Sequence, residues 1–141
     1  MIHTITFTAR GHRNVRSSHP TTIMITRDES LTSRGDCVVA VAAEAGLLYL
    51  PEEVKEAARA RDTLITLTIE VGQMSFTVTG RGHPSLSYSS AADMVARRSL
   101  YTCGRTLMVE ADKAARDIPP EMVRLLQSPG SEVKVTLTVQ R

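Results

Sequence analysis

The segment Thr6–His12, TFTARGH, indicates the architecture because the chain repeats it as Thr77–His83, TVTGRGH. A second segment, Leu50–Val54 (LPEEV), returns as Ile118–Met122 (IPPEM). Each half of the chain then closes on a run in which threonine alternates with an aliphatic residue. Similarity of this length within one chain is a signature of repeated structural units. We therefore predict an internal duplication.

The two predicted repeats are residues 1–71 and 72–141, and the same order of elements is expected in both: strand, polar loop, strand, strand, helix, strand. Period-two alternation predicts the strands. Pro51 and Pro119 each mark a helix start, since proline is tolerated in the first helical turn. Residues 91–100 are ambiguous between strand and helix. Repeats of about 70 residues rarely fold alone, so we expect one domain.

The expected fold class is α+β: one strand-rich, internally duplicated domain with a pseudo-twofold axis. Its sheet is predicted to be mixed or antiparallel and to be rolled towards a barrel. Polar residues at equivalent strand ends of such a sheet would converge on a common mouth. This geometry predicts that His12, His19, Asp36 and Arg105 share one pocket.

Composition limits the class of protein. The 141 residues are 42% hydrophobic and 23% charged, as in an ordinary globular domain. No apolar run approaches the roughly 20 residues that cross a bilayer, and no secretory signal is recognisable. We therefore expect a cytoplasmic protein without a membrane partner. Cys37 and Cys103 lack C-x-x-C spacing. Reduced thiols are expected, with a disulfide or a metal site as the alternatives.

The positive charge is carried mainly by arginine. Fourteen of the 17 basic residues are arginines, although the net charge is only +2. A planar guanidinium forms paired hydrogen bonds to phosphate or carboxylate, but a GC-rich genome or a thermophilic host also favours arginine over lysine. Only five aromatic rings are present, which disfavours a protein that stacks the bases of single-stranded nucleic acid.

The polar loops differ between the two repeats. Both contain Arg-Gly-His, whereas Asn14 and His19 have serines at the matching positions of the second repeat. Residues present in both copies are more often structural, because both copies need the same turn. Residues present in only one copy are the better functional candidates. Asp36 precedes a predicted buried strand, and Arg105 lies at the matching strand entrance.

Several segments together resemble a known family. They are ARGHRNV at Ala9–Val15, GDC at Gly35–Cys37, RRS at Arg97–Ser99 and ADKAARD at Ala111–Asp117. The combination resembles the archaeal domain-of-unknown-function family 371 and covers nearly the whole chain. The resemblance implies a cytoplasmic archaeal protein of this size and implies no function. Residues 13–16 are more basic than is typical of that family, which gives Arg13 and Arg16 no special family role.

The leading hypothesis is a site for a phosphate-bearing ligand, either a nucleotide or an RNA element. Guanidiniums bind phosphate oxygens bidentately, and histidine titrates near neutrality, which suits acid–base phosphoester chemistry. The predicted ligand-binding side chains are those of Arg10, Asn14, Arg97, Ser99 and Arg105. The predicted acid–base residues are His12 and His19, with Asp36 orienting one imidazole.

Two other functions remain open from the residues alone. His12, His19 and Asp36 have the chemistry of a zinc or iron site, which would make the protein a metal-dependent hydrolase. Alternatively, the arginine-rich mouth would serve a non-catalytic RNA- or protein-binding module. The phosphate-loop, dinucleotide-binding, zinc-protease and nucleophile-elbow motifs are absent. The sequence names no cofactor or oligomeric state and does not decide whether the protein is an enzyme.

Overall fold

The computed structural model describes all residues from 1 to 141. Eight strands and two α-helices follow one another along the chain, and a short 3₁₀ turn precedes each helix. The elements are β1 (Ile2–Arg10), β2 (Thr22–Thr26), β3 (Val38–Ala40), α1 (Glu52–Ala58), β4 (Leu64–Val71), β5 (Met74–Arg81), β6 (Asp93–Arg97), β7 (Thr106–Met108), α2 (Pro120–Leu126) and β8 (Glu132–Gln140). The ambiguous stretch before β7 is therefore a strand, β6.

The strands form two separate sheets of four strands each. The first has the order β1-β8-β4-β5 and is entirely antiparallel. The second has the order β3-β2-β6-β7, with an antiparallel central pair and a parallel pair on each side. The α+β class is confirmed. The prediction of one sheet rolled towards a barrel is wrong, because the two sheets do not close into a barrel.

The short edge strands explain why the sheets stay separate. β3 and β7 have three residues each, and only single bridges, Arg10–Val41 and Arg81–Val109, join the two sheets. The residues that follow these bridges have positive φ angles, 51° and 52°, so the chain turns away before a ladder can form. These two residues are Ala42 and Glu110.

Alternation of apolar residues places the core between the sheets. In β4, Ile65, Leu67 and Ile69 are fully buried, whereas the intervening Thr66 and Thr68 are half-buried on the opposite face. The same period-two pattern in the other long strands covers one face of the first sheet with apolar side chains. The two helices pack against this core through residues such as Val54 and Met122. No helix in the structure has the length and apolar composition needed to cross a lipid bilayer.

Each Gly-His pair lies against the end of the helix that is contributed by the other half of the chain. His12 N–H donates to the Leu126 carbonyl at 2.9 Å, and His83 N–H donates to the Ala58 carbonyl at 3.0 Å. Carbonyls at a helix C-terminus lack partners within the helix, so these bonds satisfy them. A Cβ on Gly82 would collide with the backbone oxygens of Ala58 and Ala60 at the end of α1.

Candidate functional site

The Arg-Gly-His histidines serve as turn residues. Nδ1 of His12 accepts the N–H of Asn14 at 3.0 Å, and Nδ1 of His83 accepts the N–H of Ser85 at the same distance. The two halves therefore use this histidine in the same way. The Asn14 amide in turn donates to the Leu31 carbonyl at 2.6 Å, which holds the following loop in place. These contacts favour a structural role for both side chains.

His19 also faces the backbone. Its Nδ1 accepts the N–H groups of Thr21 and Thr22, both at 3.1 Å. A ring nitrogen that accepts an N–H carries a lone pair, so the proton of the neutral ring lies on Nε2. His12 and His19 therefore each have an Nδ1 that is occupied by backbone N–H groups and is not free to act as a base.

The backbone of Asp36 is hydrogen-bonded to that of His19. Its carbonyl accepts the N–H groups of Ser18 and His19 at 3.0 and 3.2 Å. No three His, Cys, Asp or Glu side chains of the chain, His12, His19 and Asp36 included, are placed to hold a metal ion. The metal alternative therefore stays a prediction that the arrangement of these side chains does not support.

The Arg105 guanidinium has an internal anionic partner. Its Nε forms an ion pair with Asp93 at 2.9 Å, and its Nη2 lies 3.0 Å from the sulfur of Met24. Asp93 also accepts the Thr26 hydroxyl at 2.7 Å. The Arg105 side chain is 48% exposed and that of Asp93 only 17%. The charge of Arg105 is thus neutralised without a ligand.

Arg97 ends β6, at the opposite end from Asp93, and its guanidinium lies close to Cys103. Its Nε donates to the Thr106 hydroxyl at 2.9 Å, its Nη2 lies 3.5 Å from the sulfur of Cys103, and its guanidinium stacks on the Tyr101 ring. The Ser99 hydroxyl accepts the N–H of Tyr101 at 3.3 Å. Both predicted ligand-binding side chains, Arg97 and Ser99, therefore have protein partners.

The two cysteines are free thiols with opposite electrostatic surroundings. Burial raises the pKa of Cys37, and the Thr22 hydroxyl opposes this only in part. Burial acts in the same direction on Cys103, but the backbone N–H of Arg105, the Thr106 hydroxyl and the Arg97 guanidinium outweigh it, so the pKa of Cys103 is lowered. We therefore expect Cys103 to be the more reactive thiol of the two.

The four residues expected to share one pocket do not line a common cavity. Five cavities are present on the surface. His12 lines one of about 470 Å³, together with Arg10 and Arg13. His19, Asp36 and Arg105 line none of the five.

A different cavity collects three arginines without any carboxylate. It has a volume of about 410 Å³, and we call it the arginine pocket. Its polar lining consists of Arg16, Ser17, Ser18, Arg116, Arg124 and Gln127, and Ile118, Pro120 and Val123 complete the wall. None of the three arginines forms a salt bridge, and the one internal hydrogen bond of their side chains is the donation of Arg16 Nη1 to the Ser33 carbonyl at 3.3 Å. No sequence motif could have predicted this group, because its arginines come from distant parts of the sequence.

Backbone contacts hold the loop of the arginine pocket against the second half of the chain. Ser17 has a φ of 53°, and its hydroxyl donates to the Ala115 carbonyl at 2.6 Å. The Gln127 amide donates to the Val15 carbonyl at 2.9 Å. The backbone N–H groups of Arg16 and Ser17 have no acceptor within the protein. The hydrogen bonds of Ser17 and Gln127 fix the loop that carries Arg16 against the second half of the chain.

Comparison with known proteins agrees with the resemblance seen in the sequence. A family model described as a domain of unknown function, DUF371, matches residues 7–140. The chain belongs to this family. An uncharacterised protein of the archaeon Methanocaldococcus jannaschii is 40% identical over 119 residues, which is 84% of this chain and 87% of the relative. Neither description names an activity, so the function of this DUF371 protein has to be argued from its site.

The helix and the preceding turn of the first half carry no comparable group of arginines. The fifth residue of α1 is Glu56, whereas that of α2 is Arg124, and the middle residue of the preceding turn is Leu48 in the first half and Arg116 in the second. The adjacent Arg59 donates to two backbone carbonyls and lies 4.0 Å from Glu52. The basic cavity is thus a local feature of one side.

Proposed function

We propose that this DUF371 protein binds a phosphate-bearing ligand in the arginine pocket. The observation that carries the proposal is that Arg16, Arg116 and Arg124 line one cavity without a single carboxylate. Like charges held around one cavity repel each other, and an anion that accepts from all three removes this repulsion. Guanidiniums match phosphate oxygens in a bidentate geometry.

The surroundings of the pocket support binding rather than phosphoester chemistry. No histidine, aspartate or glutamate lines the arginine pocket, so it contains no candidate proton donor or acceptor near neutral pH. His12 and His19 use Nδ1 to hold their own turns. Acid–base catalysis by His12, His19 and Asp36 therefore forms no part of this proposal.

The ligand-binding side chains of the proposal differ from those expected from sequence. Asn14, Arg97, Ser99 and Arg105 all bond to other parts of the protein. Arg10 remains a candidate because it lines the neighbouring cavity and has only a long contact, 3.5 Å, to the Gly130 carbonyl.

We also propose that the site arose within a duplicated domain in which the two copies diverged. The element order from β1 to β4 is the same as that from β5 to β8. Exchanging matching elements leaves the strand order of each sheet unchanged. The pocket lies between the loop of the first half and α2 of the second half. Divergence at Arg116 and Arg124 would then have created a basic cavity on one side only.

Thermal denaturation tests the proposed site. Inorganic phosphate and tripolyphosphate should raise Tm at constant ionic strength, since a ligand present at 100 times its Kd stabilises the native state by about 2.7 kcal/mol. Arg124→Ala should weaken binding about tenfold or more, because a hydrogen bond to a charged group contributes about 1.5–3 kcal/mol.

The matched control is Arg61→Ala. Arg61 is exposed, lines no cavity and forms no salt bridge. Its replacement should leave the phosphate-induced shift unchanged. The proposal fails if chloride at equal ionic strength stabilises the protein as much as phosphate does, or if Arg61→Ala and Arg124→Ala lose the shift equally.

A further inference from the structure

A second basic cavity lies beside the arginine pocket. Its cationic lining is Arg10 and Arg13, and His12 also lines it. Glu29 is its single carboxylate. Arg13 is exposed and forms no salt bridge, so its charge has no internal partner. We call this cavity the loop cavity.

The first loop and the segment 127–130 contribute residues to both cavities, and residues from elsewhere in the chain complete each one. Residues 10–13 of the first loop line the loop cavity, and residues 16–18 line the arginine pocket. On the opposite wall, Gln127 lines the arginine pocket, and Pro129 and Gly130 line the loop cavity. The Cα atoms of Arg13 and Arg16 can be no more than about 11 Å apart, because an extended chain advances about 3.3–3.6 Å per residue.

This spacing suits a ligand with repeated phosphates. One strand of a duplex carries a negative charge for roughly every 3.4 Å of helix axis, so a few nucleotides span both cavities. A single inorganic phosphate occupies only one of them. No Phe, Tyr or Trp lines either cavity, so neither has a ring on which an unpaired base would stack.

We infer that the two cavities together bind the phosphodiester backbone of a double-stranded nucleic acid. The inference rests on the proposed phosphate site and extends it to a class of partner. The arginine pocket anchors one phosphate, and the loop cavity contacts a neighbouring phosphate through Arg13 and Arg10. Recognition through the backbone is independent of base sequence and depends strongly on salt.

Fluorescence anisotropy with labelled duplexes of about 16 base pairs tests the inference, with RNA and DNA of the same sequence titrated in parallel. Two neutralised phosphates, one at each cavity, give a slope of log K against log salt of about −2. Arg13→Ala should make this slope less negative by about 1 and should leave the stabilisation by inorganic phosphate unchanged. Arg124→Ala should weaken both the binding of the duplex and the stabilisation by inorganic phosphate. The duplex that binds more tightly, RNA or DNA, is the class of nucleic acid that the protein recognises.

The outcomes separate the inference from the proposed function. Stabilisation by phosphate without duplex binding overturns the inference alone, as does duplex binding that Arg13→Ala leaves unchanged. Tighter binding of the single strand than of the duplex also overturns it, since stacking would then outweigh backbone contacts. Absence of both phosphate stabilisation and duplex binding overturns the proposed function as well. Arg61→Ala serves as the charge-matched control in every titration.

Discussion

At the residue scale, the environments of the two thiols differ more than their sequence contexts suggest. Cys103 is half-buried beside the Arg97 guanidinium and the Thr106 hydroxyl, and its pKa is lowered. Cys37 has a raised pKa because burial disfavours its thiolate. Since the thiolate is the nucleophile, these shifts act directly on reactivity.

Cys103 should therefore be alkylated by iodoacetamide at lower pH than Cys37. The alkylation rate of each thiol rises as pH passes upward through its own pKa, so the Cys103 curve should lie at lower pH and the Cys37 curve at higher pH. Peptide mass spectrometry over a pH series measures both. Arg97→Ala should move the Cys103 curve to higher pH and leave that of Cys37 in place. Equal rates for both thiols at every pH would contradict the electrostatic description.

The Arg105–Asp93 ion pair leads to a second prediction at this scale. Arg105→Ala should leave the phosphate-induced thermal shift unchanged, because Asp93 already neutralises that guanidinium. A double-mutant cycle on the two residues by urea denaturation should give a coupling of about 0.5–1 kcal/mol, as expected for a partly exposed pair. Loss of the phosphate shift in Arg105→Ala would restore Arg105 as a ligand-binding residue.

At the scale of elements, the contact of each Gly-His pair with the opposite helix end is a point of high packing density. A Cβ at Gly82 would meet the backbone oxygens of Ala58 and Ala60, which cannot rotate away. At Gly104 the nearest atom would instead be the hydroxyl of Ser89, the end of a movable side chain. The two positions therefore differ in tolerance, although neither has a positive φ.

Gly82→Ala should accordingly lower the free energy of unfolding by about 1–3 kcal/mol, the usual range for overpacking. Gly104→Ala is the matched comparison and should cost less, since the Ser89 side chain can move. Chemical denaturation of both variants measures the difference. Equal losses would mean that the helix end shifts to accept the methyl group and that the contact is less rigid than the structure indicates.

At the scale of the whole molecule, the two halves of the chain interleave. In the first sheet, β8 from the second half lies between β1 and β4 from the first half and pairs with both along its length. β1 and β4 therefore do not pair with each other. The strands of the first sheet find all of their partners in the other half of the chain, whereas in the second sheet β2–β3 and β6–β7 pair within a half. The buried faces of these strands share one core.

Fragments comprising residues 1–71 and 72–141 should each be unfolded when produced alone and should fold when mixed. Strands without partners expose backbone groups and apolar side chains that the other half covers, so the separate fragments cannot bury enough surface. Circular dichroism and amide NMR spectra of each fragment and of the mixture measure this. A dispersed NMR spectrum from either fragment alone would contradict the prediction.

The amino-acid sequence by itself determined the family and most of the elements, whereas residues 91–100, which contain β6, were ambiguous between strand and helix. Alternation marked β1, β4, β5 and β8, and the proline before each helix marked its start, because these signals are carried by residues close together in the chain. The resemblance to DUF371, found on short segments spread along the chain, is confirmed over residues 7–140. The division of each half into loop, strands and helix was therefore predictable from local patterns.

Only the tertiary structure decided which strands pair and which polar side chains meet. Local periodicity contains no information on long-range pairing, so the split into two sheets and the position of β8 were not predictable. The same limit applied to the site. Arg16, Arg116 and Arg124 are distant in sequence and line one cavity, whereas Arg105 pairs with Asp93 and the imidazoles hold their own turns. Whether a charged side chain is free to bind a ligand depends on its neighbours in space, and the tertiary structure determines those neighbours.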